Sequence, residues 1–200
     1  MSEKFLIIGS NSFSGADFVD LLLEKFSNKV IGISRSNEKS RIFLPYLDNP
    51  NRGNFQFHAL DLNRDLKSIL ELIDQERPNV IINFAAQSEV VPSWDYPEHW
   101  YQTNIMALGL LAQALSKRKF LRRFVQISSP EVYGTCSGLV FENAHLNPST
   151  PYAASKAGGD LALLPYFKNF GFPLVTVRAT NVYGAHQQLF KIIPRSFIFL

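Results

Sequence analysis

This sequence of 200 residues has one cysteine and no long apolar run. The single Cys136 excludes an internal disulfide framework and a cysteine-rich zinc site, and it is typical of a reducing compartment. No apolar stretch approaches the ~20 residues of a membrane span, and no signal peptide is readable at the start. The 4 histidines lie far apart, without metal-ligand spacing. We therefore expect a soluble, cytoplasmic protein with no metal site and no membrane partner.

The chain also lacks a large excess of either charge. Its 20 lysines and arginines against 17 acidic residues leave a formal charge of +3. One basic cluster stands out, formed by Lys117, Arg118, Lys119, Arg122 and Arg123. Such a cluster near the end of a helix is typical of a solvated surface, so no nucleic-acid partner is expected. A hydrophobic share of 46% is enough to bury a core, which excludes a disordered chain.

Apolar runs alternate with segments of helical periodicity along the chain. The runs predict strands at residues 5–8, 30–33, 55–60, 80–84, 124–127 and 174–177. The periodicity predicts helices at residues 16–26, 66–73, 98–117 and 152–170. Strands separated by helices indicate a doubly wound, Rossmann-like α/β fold, with a parallel sheet covered by helices on both faces.

The domain organisation follows from the absence of repeats and linkers. Residues 1–185 are predicted to form one dinucleotide-binding domain. Residues 186–200 would begin a substrate-binding region that is largely absent, because an apolar helical pattern containing Pro194 is still running when the sequence stops at Leu200.

The first strand leads into a loop of small residues, from Gly9 to Gly15. Small residues let the backbone approach a pyrophosphate, which then meets the free N–H groups of the following helix. Ser12 occupies the middle glycine position of a GxxGxxG pattern. An ordinary strand-to-helix turn is the alternative interpretation.

The ends of the second and third strands carry further candidates for cofactor binding. Ser34, Arg35 and Ser36 stand where a carboxylate would select NAD, and an arginine there suits the 2′-phosphate of NADP. A plain loop arginine, with NAD as the cofactor, is the alternative. Asp61, followed by Leu62, is placed either to accept a hydrogen bond from the adenine amino group or to cap the next helix.

The most specific pattern is a tyrosine followed four residues later by a lysine. Tyr152 and Lys156 lie one helical turn apart, and an ammonium near a phenol favours the phenolate. Ser129, at the end of the fifth strand, offers a hydroxyl that can hold a substrate oxygen. Combined with a nucleotide-binding loop, this pattern indicates proton transfer coupled to dinucleotide chemistry.

These motifs resemble those of the extended short-chain dehydrogenase/reductase family, within it the nucleotide-sugar 4,6-dehydratases, epimerases and decarboxylases. The similarity extends over the glycine loop and the runs at residues 83–88, 127–134, 149–156 and 178–184. It implies a redox triad of Ser129, Tyr152 and Lys156. It implies a dinucleotide site formed by Gly9, Asn11, Ser12, Phe13, Gly15, Ser34, Arg35, Asp61, Leu62, Ala85, Ala86, Gln87, Tyr152, Lys156 and Arg178. It also implies that Ser88 and Asn181 face the substrate, and that helices 98–117 and 152–170 form a homodimer.

Glu131 distinguishes the subfamilies in this resemblance. The residue at this position takes the C5 proton in 4,6-dehydratases, and epimerases usually lack it. Pro130 replaces an aspartate of the dTDP-glucose enzymes, and the GDP-mannose dehydratases also lack that aspartate. We therefore expect an NADP-dependent nucleotide-sugar 4,6-dehydratase. A 4-epimerase and a dinucleotide-binding protein without turnover are the alternatives, and for Glu131 itself the alternative is a carboxylate that caps the next turn.

Overall fold

The computed structural model describes residues 3–200. The strands are β1 Lys4–Ile8, β2 Lys29–Ser34, β3 Phe55–Ala59, β4 Val80–Asn83, β5 Arg123–Ile127 and β6 Leu174–Val177. The helices are α1 Phe13–Leu23, α2 Leu66–Glu76, α3 Pro92–Asp95, α4 Pro97–Tyr101, α5 Leu108–Leu115, α6 Pro151–Phe170 and α7 Ile192–Ile198. A π-helical segment, Gln102–Ala107, joins α4 to α5, and short 3₁₀ turns fill several loops.

The strands form one parallel sheet in the order β3-β2-β1-β4-β5-β6. The chain moves outward from β1 to β3, returns to the centre at β4, and then moves outward in the other direction to β6. The carboxyl ends of β1 and β4 therefore flank the point where the strand order reverses, which is where doubly wound folds bind their ligands. The predicted fold class is confirmed.

Both faces of the sheet are buried at β1, β2 and β4, as the continuous apolar runs predict. Leu6 and Ile8 of β1 pack on the face covered by α2, α5 and α6. Ile7 points to the opposite face, where α1 and the loop around Tyr46 cover it. The side chains of a strand buried on both faces are apolar and pack in the core. Functional side chains are therefore expected in the loops at the strand ends.

The helix predicted over residues 98–117 is confirmed, although it begins at Pro97, ends at Leu115 and changes its hydrogen-bond pattern at Gln102–Ala107. The segment divides into α4, the π-helical stretch and α5, which ends at Leu115. A side chain at Gly159 of α6 would place its Cβ 2.4 Å from the Asn104 carbonyl oxygen, and one at Gly158 would meet Ile105 at 2.6 Å. The widened turn therefore lies where α6 approaches most closely, and local periodicity does not reveal such a contact.

Helix boundaries differ from the prediction where a cap decides them. Helix α1 begins at Phe13 rather than at residue 16 because Ser12 caps it. Helix α6 begins at Pro151, with Thr150 as its cap. Within residues 3–200, no helix is long and apolar enough to cross a membrane, and no group of side chains is arranged to hold a metal ion.

Candidate functional site

A cleft of about 270 Å³ lies at the carboxyl ends of β1, β2, β3 and β4. Most of the predicted cofactor residues line it, namely Gly9, Asn11, Ser12, Ser34, Arg35, Asp61, Leu62, Ala85, Ala86 and Gln87. The wall also contains residues that were not predicted, among them Lys39, Asn63, Thr103 and Gln188. The cleft occupies the position where the strand order reverses.

Gly9 brings the glycine loop against β4 without room for a side chain. Its backbone has φ +85, and an added Cβ would lie 2.7 Å from the Ala85 nitrogen. The Gly9 N–H donates to the Ile33 carbonyl at 2.7 Å, which ties the loop to β2 as well. The loop and the ends of β2 and β4 thus meet around one residue that must be glycine.

Ser12 and Gly15 build the start of α1. The Ser12 hydroxyl accepts a hydrogen bond from the Gly15 N–H at 3.0 Å. A Cβ on Gly15 would lie 2.3 Å from the Gly9 carbonyl oxygen, so this glycine permits close packing and does not itself line the cleft. Within residues 3–200, the N–H groups of Phe13 and Ser14 have no acceptor and are available to an anion.

Asn11 carries an unsatisfied acceptor at the wall of the cleft. Its backbone N–H donates to the Ser34 hydroxyl at 2.9 Å, and its Nδ2 donates to the carbonyls of Ser36 and Asn37. Its Oδ1 is buried and has no partner in the part of the chain that the structure describes. Since buried acceptors are normally paired, Oδ1 is suited to a hydroxyl or N–H donor of a ligand. The residues present therefore fit a dinucleotide.

The end of β2 presents two cations to the cleft, Arg35 and Lys39. Burial lowers the pKa of Lys39, and the neighbouring charge of Arg35 lowers it further. Neither cation has a carboxylate partner among the described residues. The nearby Glu38 carboxylate is already engaged, because it accepts from the Tyr46 hydroxyl at 3.0 Å and from Arg52 at 3.4 Å.

Asp61 does not cap α2, so that alternative is wrong. Asp65 occupies the residue before the helix, and Asp61 stabilises the turn that leads to it. The Asp61 Oδ1 accepts from the Asn63 N–H at 2.8 Å, and its own N–H donates to Asp65 at 2.8 Å. Asp61 lines the cleft, and its contact with adenine stays a prediction.

Asn104 fixes the wall of the cleft that follows β4. Its Oδ1 accepts from the Gln87 N–H at 2.9 Å, and its Nδ2 donates to the Gln87 carbonyl at 3.0 Å. The same Nδ2 donates to the Ser155 hydroxyl of α6 at 2.8 Å. Sequence reasoning missed this residue, although a polar side chain on the buried face of an apolar helix was a readable signal.

Lys156 and Tyr152 lie one turn apart on α6. The Lys156 ammonium is 5% exposed and donates to the Ile127 carbonyl at 2.7 Å. Burial lowers its pKa to about 8, against the opposing charge of Asp160. Burial also raises the pKa of Tyr152. The carboxylates of Glu131 and Glu89 raise this pKa further, whereas a hydrogen bond with Ser129 lowers it. This direction is opposite to the one predicted from the lysine, because burial outweighs the other influences.

Ser129 and Glu131 stand at the end of β5. The Ser129 side chain is buried and caps the 3₁₀ turn Pro130–Tyr133, where its hydroxyl accepts from the Glu131 N–H at 3.2 Å. The Glu131 side chain is exposed. Because the serine makes the cap, the alternative in which Glu131 caps the turn is wrong, and its carboxylate is left for another purpose.

The remaining predicted site residues lie outside the cleft. Arg178 is held in an ion pair with the buried Asp160 and stacks its guanidinium on Tyr133. Ser88 and Asn181 are exposed. The Phe13 ring would lie 3.5 Å from a Cβ on Gly184. Contacts of these residues with cofactor or substrate, and those of Tyr152 and Lys156, stay predictions.

The parallel sheet, the glycine loop at its switch point and the Tyr152–Lys156 pair define an extended short-chain dehydrogenase/reductase. Within that class, the chain belongs to the GDP-mannose 4,6-dehydratase family, whose model matches residues 6–197.

The comparisons include both dehydratases and epimerases. The dTDP-D-glucose 4,6-dehydratase of Dictyostelium discoideum is 30% identical over 215 residues, covering 96% of this chain and 47% of that protein. An uncharacterized protein of Schizosaccharomyces pombe is 34% identical, covering 94% of this chain and 56% of its own length. The chain therefore spans about half the length of these relatives.

Two solved structures show the same fold with NAD bound. A Bacillus cereus UDP-glucuronic acid 4-epimerase superposes with a TM-score of 0.79 at 27% identity, covering 96% of this chain and 61% of that one. A Bacillus anthracis dTDP-glucose 4,6-dehydratase superposes with a TM-score of 0.80 at 27% identity, covering 96% and 59%.

Proposed function

We propose that the chain forms the cofactor-binding and catalytic part of a cytoplasmic, NADP-dependent nucleotide-sugar 4,6-dehydratase. The observation that carries this proposal is the placement of the exposed Glu131 carboxylate two residues after Ser129, on the turn that packs against α6, where Tyr152 lies. The two groups share one site although one follows β5 and the other begins α6. A phenol and an independent carboxylate in one site provide two separate proton acceptors, which a dehydratase needs.

The cleft residues hold the dinucleotide in this proposal. The free N–H groups at the start of α1 take the pyrophosphate, and the Asn11 Oδ1 accepts a hydrogen bond from the bound molecule. Arg35 and Lys39 take the 2′-phosphate. When bound, the dinucleotide supplies a hydride acceptor for C4 of the sugar and a hydride donor for C6. The solved relatives hold NAD, so NADP rests on the two unpaired cations at the end of β2.

Tyr152 removes the proton of the C4 hydroxyl in the first step. Its pKa is raised, so the phenolate has to be favoured when the site is loaded, and we assign that role to the buried Lys156 ammonium, one turn further along α6. The Ser129 hydroxyl, which hydrogen-bonds to Tyr152, orients the oxygen that loses the proton.

Glu131 then removes the C5 proton, which the new C4 carbonyl has acidified. Its carboxylate is exposed near Ser129 and does not cap the turn, because the Ser129 hydroxyl does so. The carboxylate is therefore available to contact the sugar. The C6 hydroxyl then leaves as water with the proton that Glu131 took from C5, which completes the elimination.

The test compares Tyr152→Phe with Glu131→Gln in the complete native gene product. Tyr152→Phe should abolish oxidation at C4, seen as no absorbance of reduced dinucleotide. Glu131→Gln should still oxidise C4 but lose about 10²–10⁴ in dehydration rate and fail to exchange the C5 proton with deuterated solvent. Normal exchange at C5 in Glu131→Gln would remove this residue from the mechanism.

A 4-epimerase is the second candidate, because 4-epimerases superpose on the chain as well as dehydratases do. The mass of the product separates the two activities: a dehydratase product is lighter by one water, whereas an epimerase product has the mass of the substrate. Dinucleotide binding without conversion of any nucleotide sugar would favour a protein without turnover.

We further propose a homodimer through α4, α5 and α6. The outer faces of these helices expose apolar side chains, including Met106, Leu110, Leu161, Leu164 and Phe167. Exposed apolar patches on paired helices are typical of a protein interface. Sedimentation velocity on the native protein should give the mass of two chains.

A further inference from the structure

A buried carboxylate that the mechanism above does not use lies one turn beyond Lys156 on α6. Asp160 is 4% exposed. It accepts hydrogen bonds from the Ser128 hydroxyl and from the Arg178 Nε, each at 2.9 Å, and a second guanidinium nitrogen of Arg178 also lies at 2.9 Å. The carboxylate therefore joins the ends of β5 and β6 to α6.

Lys156 has no carboxylate among its hydrogen-bond partners. Its ammonium donates to the neutral Ile127 carbonyl, and the charge that acts on it is that of Asp160. Other charged or titratable groups on the elements packed against α6 are Asp95, Glu98, His99, Tyr101, Glu131, Tyr133 and Arg178, with Tyr152 on α6 itself. Those on α3 and α4 are exposed, which leaves Asp160 as the buried acid beside Lys156 in the described part of the chain.

We propose that Asp160 is a positioning residue that keeps the Lys156 ammonium charged and fixed beneath the site. The consequence for turnover rests on the proposed function, since a neutral lysine would no longer favour the Tyr152 phenolate. The effect on Lys156 itself does not depend on any substrate.

The physical basis is the cost of leaving a buried cation without a counter-charge. Burial lowers the pKa of Lys156 to about 8, and the Asp160 charge opposes that shift. Removing the charge while keeping the shape should lower the pKa of Lys156 further, so that the amine is largely neutral near pH 7. Arg178 shares the same carboxylate, so removing the guanidinium should act in the opposite direction.

The experiment follows the lysine ε-carbons by ¹³C NMR during a pH titration of the native protein without substrate. Lys156→Met identifies the Lys156 signal. Asp160→Asn should lower its midpoint by about one pH unit or more, and Asp160→Glu should restore it in part. Ser128→Ala is the matched control, because it removes a hydrogen bond to the same carboxylate without removing a charge, and its midpoint should stay within a few tenths of the wild-type value.

Arg178→Gln keeps the proposal falsifiable if Asp160→Asn does not fold, and it should raise the Lys156 midpoint. An unchanged midpoint in Asp160→Asn, or a lowered one in Arg178→Gln, would overturn the proposal. An equal shift in Ser128→Ala would also overturn it, because packing would then account for the effect. None of these outcomes depends on dehydration, so failure of the proposed function leaves them unaffected.

Discussion

The cleft at the ends of β1 to β4 and the site after β5 are built in different ways. The cleft is formed largely by backbone and by small or buried side chains, with Gly9 packed against Ala85 and Asn104 holding Gln87. The site after β5 keeps Ser129 and Lys156 buried but leaves Glu131 exposed. The cleft is thus shaped by this chain's own packing, whereas the site after β5 presents a carboxylate at an open surface.

In the proposed function, the cleft binds the cofactor and the site after β5 carries the chemistry. Substitutions at the glycine loop of the cleft should act through steric fit and stability, because the neighbours of Gly9 are backbone atoms. Substitutions after β5 should act through charge and proton transfer, because their neighbours are titratable groups. The predictions below test this division.

The largest effect is expected at the glycine loop. Gly9→Ala places a Cβ 2.7 Å from the Ala85 nitrogen at a residue with φ +85, so it should cost about 2–4 kcal/mol of unfolding free energy and most of the dinucleotide affinity. Gly53→Ala is the matched control, since a Cβ there meets nothing within 4 Å. Denaturant unfolding and calorimetry measure both variants. Equal stabilities of the two variants would show that the loop yields, and the cleft would then not be rigid.

An intermediate effect is expected from Lys156 through pH. Its pKa is about 8 in the folded chain and near 10.5 in the unfolded chain, so between these values the unfolded state binds more protons. Stability should therefore rise with pH, by about 2 kcal/mol between pH 7.5 and 9.5. Lys156→Met should lose this rise in denaturant unfolding between pH 7.5 and 9.5, below the range where Tyr152 titrates. If the unfolding free energies of the wild type and of Lys156→Met changed with pH in parallel, the lowered pKa of Lys156 would be contradicted.

The smallest effect is expected at the rim of the cleft. Arg35→Gln and Lys39→Gln should each weaken NADP binding about tenfold and leave NAD binding nearly unchanged, because each removes one charged contact to the 2′-phosphate. Lys29→Gln is the control, since this lysine lies at the other end of β2 and contacts Asn54. Equal losses of affinity for NADP and NAD in these variants would show that the two cations contribute only a general positive field. If the wild-type protein bound NAD more tightly than NADP, the NADP proposal would be wrong.

The sequence allowed the strands, the glycine loop and most of the cleft wall to be predicted, because each depends on local patterns of apolar and small residues. Asn104 and Lys39 were missed for a different reason. Asn104 holds Gln87, and Lys39 comes near the charge of Arg35, only once the sheet has formed. The raised pKa of Tyr152 likewise follows from burial, which a spacing of four residues does not reveal.

The close approach of α6 to the π-helical segment links a helix interface to the shape of the cleft. A Cβ on Gly159 would lie 2.4 Å from the Asn104 carbonyl oxygen, and the Asn104 side chain holds Gln87 on the cleft wall. Thr103 of the same segment also lines the cleft. Adding one methyl group at position 159 should therefore shift the π-helical segment, which holds Gln87 through Asn104 and lines the cleft through Thr103. A substitution at a helix interface that touches no ligand should thus change the affinity for the dinucleotide.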